Sequence, residues 1–241
     1  MHGAVPDRPH PAPPAKGELT LAIVIPVLDE IAILPGVLDQ LAPLRAAGAE
    51  IIVVDGGSSD GSEEYARRWG AVTRSAPRGR ASQMNAGAAS TSADALVFLH
   101  ADTRLPVGAD RAMRAALARR SWGRHDVRIE GRATLLGVIA RLINFRSRLT
   151  GIATGDQAIF VRRAAFEAIG GFPDQPLMED VELSIRLRRQ FGRPACPPGF
   201  AVTSGRRWER RGVLRTVWLM WRLRFAYWRG SPPDELAELY Q

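Results

Sequence analysis

The sequence predicts an α/β fold, a mostly parallel sheet flanked by helices and followed by a C-terminal amphipathic helix. Three observations carry this. Short apolar runs alternate with stretches of helical length through the first half of the chain. The runs are continuous, as in strands buried on both faces of a sheet. Each ends abruptly in polar residues, as strands do where they surface at a ligand site.

The first strand is Leu21-Ala22-Ile23-Val24-Ile25, ending at Pro26, and the second is Ile51-Ile52-Val53-Val54, ending at Asp55. Ala71-Val72-Thr73 is a weaker third, and Ala95-Leu96-Val97-Phe98-Leu99 a fourth. Helices are expected between them at about 30–47, 60–69 and 80–90. Beyond Asp102 the alternation is less regular. Helices are expected over about 107–120, 134–148 and 179–190, with a strand at Ala158-Ile159-Phe160-Val161. In the 134–148 helix, Leu135, Leu136, Ile139, Leu142 and Ile143 fall on one side. A Pro-rich link at 194–198 leads towards a last helix over about 212–229. Leu214, Val217, Trp218, Trp221, Phe225 and Trp228 share one face of it. Arg215, Arg222 and Arg229 lie beside that face and Arg224 opposite, which suits headgroup contact. Trp with Arg suits a membrane interface, and the same face suits docking on the rest of the chain or on a second subunit.

The 241 residues suit one domain with appendages. Residues 1–18 hold five prolines among small and polar residues and read as a disordered tail without the apolar core of a signal peptide. Residues 19–211 form the globular unit, divided at about 105, and 212–241 the C-terminal helical segment. The single cysteine, Cys196, excludes an internal disulfide and a Cys-based zinc site, and agrees with a cytoplasmic location. No uncharged apolar run reaches the length of a membrane span. The net charge of +8 comes from Lys16 and 32 arginines against 25 acidic residues. Phosphate groups and anionic lipid are the expected partners. Nucleic acid is not expected, because there is no zinc finger and no aromatic RNA-binding motif.

Three strand ends would converge on one rim of the sheet. The first is Pro26-Val27-Leu28-Asp29-Glu30. The second, Asp55-Gly56-Gly57-Ser58-Ser59-Asp60, combines a carboxylate with glycines that allow a tight turn and close backbone approach. A plain βα turn with a helix cap would read the same way. The third is His100-Ala101-Asp102. In an extended chain, residues two apart point to one side, so this pair can aim at a divalent metal. Asp102 is the better ligand for Mg²⁺ or Mn²⁺, and His100 either binds the metal or orients a neighbour. Arg78-Gly79-Arg80 opens a helix with backbone N–H groups and guanidinium, an anion site. Glu179-Asp180 opens another, where a carboxylate suits either the helix dipole or proton abstraction from an acceptor hydroxyl. Asp156 and Gln157, before the strand at 158–161, either face an acceptor or end a loop.

Together these boxes resemble the family 2 glycosyltransferases of the GT-A fold, a Rossmann-like α/β architecture, over about Leu21 to Trp208. The resemblance rests on Ile25 to Glu30, Val53 to Gly61, Gly79-Arg80 to Gly87, His100-Ala101-Asp102, Gly170-Gly171-Phe172 and Glu179-Asp180. It implies a nucleotide-binding half at 19–105 and an acceptor half at 106–211. The donor, a nucleotide sugar with a UDP-linked one expected, would be held by Pro26, Glu30, Asp55, Gly57, Arg80 and Asp102. Asp102, with His100, would hold Mn²⁺ or Mg²⁺ at the diphosphate. Asp180 would be the base. Asp156, Gln157, Glu179, Arg206, Arg207 and Trp208 would lie near the acceptor or the diphosphate.

The family often has two acidic residues after the second strand, where this chain has Asp55 and Gly56, and Asp-x-Asp where it has His100-Ala101-Asp102. The expectation is inverting transfer to a hydroxyl acceptor, lipid-linked or membrane-associated among the options, with peripheral membrane contact through 212–229. A sugar nucleotidyltransferase is the alternative enzyme, but it would want a Gly-rich basic loop after the first strand, and Pro26–Glu30 is neither. A non-catalytic nucleotide-sugar-binding protein is the alternative of another class.

Overall fold

The structure is a computed structural model that describes residues 18–240, without the side chain of Arg207. All but Glu18 of the expected tail lies outside the described residues. A six-stranded sheet runs in the order β3 (Val72–Ser75), β2 (Glu50–Asp55), β1 (Leu21–Val27), β4 (Ala95–Phe98), β8 (Ile159–Arg162) and β6 (Trp122–Gly123). The first four strands are mutually parallel, and β8 runs against both β4 and β6. The chain moves outward from β1 to β3, then returns to place β4 on the other side of β1. That reversal opens a crevice at the carboxyl ends of β1 and β4, the usual ligand position in such sheets.

The continuous apolar strands are explained by burial on two faces. Leu21, Ile23, Ile25, Val27, Ile51, Val53 and Val97 face one core. There they meet α1 (Leu34–Ala46), α2 (Ser62–Trp69) and α4 (Ala109–Leu117). The intervening Ala22, Val24, Ile52, Val54, Leu96 and Phe98 face the other core. That one is covered by α3 (Arg80–Ala89), α6 (Arg163–Ala168) and α7 (Glu179–Phe191). Helix α3 lies so close to the sheet that a Cβ at Gly87 would stand 2.3 Å from Val24 Cγ1. Only glycine permits that approach.

A second, three-stranded sheet was not expected. Its order is β5 (Thr103–Arg104), β9 (Phe200–Ser204) and β7 (Asp126–Glu130). Against it lie α5 (Leu136–Thr150) and the short α8 (Arg206–Arg211). The last expected helix, about 212–229, is α9 (Val213–Trp228), and a further helix, α10 (Pro233–Tyr240), follows after Gly230-Ser231-Pro232. Among the described residues no helix is long and apolar enough to cross a membrane.

Two face assignments need correction. Leu135 and Leu142 of the 134–148 helix stand largely exposed, whereas Leu136 and Ile139 are buried. Val217 is not on the outer face of α9. It joins Val213 in a cluster with Ile139, Ala140 and Trp208. Both helices are apolar around most of their circumference, so periodicity alone could not choose the buried side.

Candidate active site at the carboxyl ends of the strands

The loops after β1 and β2 are tied together before any ligand arrives. Asp29, at φ 52°, donates its backbone N–H to Ser58 Oγ and accepts from the Ser59 N–H at 2.8 Å. The backbone N–H of Ile31 donates to Asp60, and that of Glu30 donates to Ser62 Oγ. Gln83, buried on α3, donates to the carbonyls of Val27 at 2.9 Å and Val54 at 2.8 Å. It thereby closes the ends of both strands from the opposite side. Sequence reasoning missed Gln83; its position one turn after Gly79-Arg80 was the available signal.

Asp55 ends β2 and is buried. Its Oδ2 accepts from the N–H groups of Gly57 and Ser58, both at 2.8 Å, while its buried Oδ1 has no partner. A buried acceptor without a donor is costly, and a nucleobase or ribose donor would satisfy it. Gly57 has φ 96°, which its place in this turn requires of glycine. Pro26 lies within β1, buried and opposite Val54, one step short of the rim where it was expected.

Glu30, Arg80, Asp102 and Arg206 converge at the crevice. Burial raises the pKa of Glu30 above the usual carboxylate range; nearby Arg206 and Arg80 oppose the rise, and Asp102 adds to it. Arg206 Nη2 stands 4.0 Å from Glu30 Oε2. Arg80 is largely exposed to solvent yet enclosed by the walls of the cleft. It lies in the field of Glu179, Tyr240, Asp156 and Asp180, and its pKa is raised although burial alone would lower it.

His100 and Asp102 do not share a face. The chain turns here, with Thr103 N–H donating to His100 O at 3.0 Å, so the extended geometry does not hold. His100 Nδ1 pairs with Asp156 Oδ1 at 3.2 Å. The Nε2 edge lies on Gly155, where an added Cβ would be 2.2 Å away. Both ring nitrogens are thus turned to the 155–156 turn. Asp102 is half-buried, and its Oδ1 accepts from Thr103 Oγ1 at 3.3 Å. Among the described residues no three His, Cys, Asp or Glu groups gather tightly enough to hold a metal. Asp102 offers a carboxylate oxygen, a donor type that suits Mg²⁺ or Mn²⁺.

Asp180 and Glu179 begin α7 after Met178, a non-glycine residue at φ 65°. Asp180 Oδ2 accepts from Gly155 N–H and its Oδ1 from Val181 N–H, both at 2.7 Å. Glu179 is buried, and burial next to the Asp180 carboxylate pushes its pKa up to about 7. Gln157 does not face the cleft. It is fully buried, its side chain bound to Thr154 N–H and His125 O. Trp208 also turns away, into the apolar cluster with α5. The side chain of Arg207 is outside the described residues.

The fold has solved relatives. A mannosyltransferase from Pyrobaculum calidifontis, in complex with GDP-Man and Mn²⁺, superposes with a TM-score of 0.62 at 22% identity, over 90% of this chain and 63% of its own. The S. aureus TarS 1-349 structure gives 0.62 at 14% identity, over 78% and 61%. Glucosyl-3-phosphoglycerate synthase from Mycobacterium tuberculosis, with Mn²⁺, UDP and glucosyl-3-phosphoglycerate, gives 0.58 at 20%, over 78% and 72%. The chain thus spans about six-tenths of the length of the first two, and the shared α/β architecture is that of GT-A glycosyltransferases. No curated protein sequence matches it. The sequence model of glycosyl transferase family 2 matches residues 22–166, more than half of the chain, and covers β1 through most of α6. The chain belongs to glycosyl transferase family 2.

Proposed function

We propose that the protein is an inverting, metal-dependent glycosyltransferase that moves a sugar from a UDP-linked donor to a hydroxyl acceptor. The observation that carries this is the convergence of Glu30, Arg80, Asp102 and Arg206 at the crevice between β1 and β4. The unpartnered Oδ1 of Asp55 supplies the place for the nucleoside. Mn²⁺ or Mg²⁺ bound at Asp102 would neutralise the diphosphate as it leaves. Arg80, already at the helix start, adds a fixed positive charge to the same group. Asp180, held by two backbone N–H groups, accepts the proton of the attacking hydroxyl on the opposite face of the sugar. Attack and departure on opposite faces invert the anomeric centre.

The acceptor is proposed to be membrane-associated, with α5 and α9 meeting the lipid. Leu214, Trp218, Trp221, Phe225 and Trp228 of α9 are all more than half exposed, as are Leu142, Phe145 and Leu149 of α5. Such rows of apolar side chains rimmed by arginine suit an anionic bilayer surface.

Thermal unfolding with UDP-, GDP- and TDP-sugars, with and without Mn²⁺, tests the central reading. A UDP-sugar with Mn²⁺ should raise Tm, by mass action on the folded state. Asp102→Asn should lose the metal-dependent part of that shift. Asp180→Asn should keep the shift and lose sugar transfer or donor hydrolysis. If no donor raises Tm, the proposal fails.

A further inference from the structure

We propose that Arg146 on α5 and Arg224 on α9 form an anion subsite beside Asp180, which takes a phosphate group of the acceptor. The proposal rests on Asp180 marking the acceptor side of the donor crevice. Helices α5 and α9 meet in one apolar cluster, through Ile139, Ala140 and Ile143 on one and Val213 and Val217 on the other. Arg224 follows Val217 by seven residues, two turns along the same side of α9, so it points inward rather than to the headgroups expected for it.

Arg146 is half-buried, and both its Nε and its Nη2 are buried with no hydrogen-bond partner. Arg224 is half-buried too. Each follows the shared apolar cluster by two turns of its own helix, Arg146 after Ile139 and Arg224 after Val217. Burial first, then Arg224, lowers the pKa of Arg146 to about 10, while Asp180 opposes the fall. Burial also lowers that of Arg224, opposed by Asp180 and Asp156. The other cation near Arg146 is Arg124, which is already paired with Asp126.

Two adjacent cations, of which Arg146 carries buried unsatisfied donors, are expensive to bury unless an anion joins them. Asp180 offsets part of this charge, with Asp156 adding to it at Arg224, but the hydrogen bonds of Asp180 go to the Gly155 and Val181 N–H groups and leave the buried Arg146 donors unfilled. A phosphate monoester offers the charge and the several acceptor oxygens that two guanidinium groups can fork onto. Set beside the base, it would place a hydroxyl of the same acceptor within reach of Asp180. The donor diphosphate has its own residues, Asp102 and Arg80.

The test uses the full chain with UDP and Mn²⁺ present. The soluble probe is glycerol 3-phosphate. The lipid probe is phosphatidylcholine vesicles carrying phosphatidic acid, with phosphatidylglycerol vesicles as the control for charge. Wild type should bind the phosphate monoester, with preference for the soluble probe or for phosphatidic acid showing which source the site takes. Arg146→Gln and Arg224→Gln should each weaken glycerol 3-phosphate binding, or the preference for phosphatidic acid over phosphatidylglycerol vesicles, at least tenfold. Stabilisation by UDP and Mn²⁺ in the same variants reports that they remain folded. Arg146→Lys and Arg224→Lys, which keep the charge but lose the fork, should bind between the two. The subsite is overturned if wild type binds neither monoester, or if both Gln variants bind like wild type. Loss of the UDP shift in wild type would instead count against the donor reading.

Discussion

His125 is wholly buried, and neither ring nitrogen makes a hydrogen bond; the Gly199 backbone lies near without an aligned contact. Its ring lies 5.6 Å from that of Phe160. Burial, and then Arg124, pushes its pKa down to about 4. Folding thus favours the neutral ring. Its contribution to stability is complete above the unfolded value near 6.5 and is lost as pH falls from there through about 4. Glu179 acts in the opposite sense. With its pKa raised to about 7, it favours the folded state as pH falls from 7 towards the ordinary glutamate range. The wild-type profile therefore conceals a cancellation. His125→Phe keeps the packing and removes the titration, so it should gain on wild type by about 2–3 kcal/mol between pH 7 and pH 4.5. Urea unfolding at the two pH values measures this, and an unchanged difference would refute it. Residues of this kind were not legible in sequence. Glu30, Asp55, Arg80 and Asp102 were, because each is a polar residue at the end of an apolar run or at a helix start. Gln83 and Arg146 lie inside helices, and what they meet depends on how those helices are rotated against other elements.

At the scale of the element, the turn at Gly155–Gln157 sets the geometry of both proposed chemical centres. Its Gly155 N–H holds Asp180, its Asp156 holds His100, and its Gln157 anchors it in the core. A Cβ at Gly155 would fall 2.2 Å from His100 Nε2 and 2.3 Å from Cε1, so the ring has to move. Gly155→Ala should therefore cost about 1–3 kcal/mol from overpacking and slow transfer by moving Asp180. His100→Ala removes the obstruction. The double variant should be more stable than the sum of the single changes by about 1 kcal/mol or more, as contacting residues allow. Thermal unfolding of the four proteins decides, and simple additivity would show that the His100 ring does not require this glycine. The same scale shows which elements the sequence could reveal. Strands β1, β2 and β4 were plain because burial on two faces makes each a continuous apolar run. Strands β5, β6, β7 and β9 have two to five residues, and β7 and β9 pair across about seventy positions of chain. In β7, Val127 and Ile129 alternate with polar residues, a period-two signal too short to stand out.

For the molecule as a whole, the C-terminal helices have two opposed faces, one docked on the rest of the chain and one exposed. The inner face docks: Leu223 is fully buried with Met178 and Leu236, which places α9 and α10 against the start of α7 and its two carboxylates. The outer face carries the exposed Trp218, Trp221, Phe225 and Trp228, flanked by Arg215, Arg222 and Arg229. Arg222 lies over Trp218 at 5.4 Å and Arg229 over Phe225 at 5.9 Å, so each guanidinium sits on an aromatic face of this surface. On the proposed membrane reading, this geometry would present rings to acyl chains and guanidinium groups to anionic headgroups at the same level. The full chain should therefore float with phosphatidylglycerol-containing vesicles, bind phosphatidylcholine alone more weakly, and release as salt rises. Burying a tryptophan is worth about 1.5–3 kcal/mol, so Trp218→Ser with Trp221→Ser should weaken vesicle binding at least about tenfold. The same double variant should leave the donor-induced rise in Tm intact, because neither ring reaches the crevice. If the wild-type chain instead sediments as a dimer that these substitutions dissolve, and floats with no vesicle, the outer face is a surface for a second copy and the acceptor need not be membrane-bound.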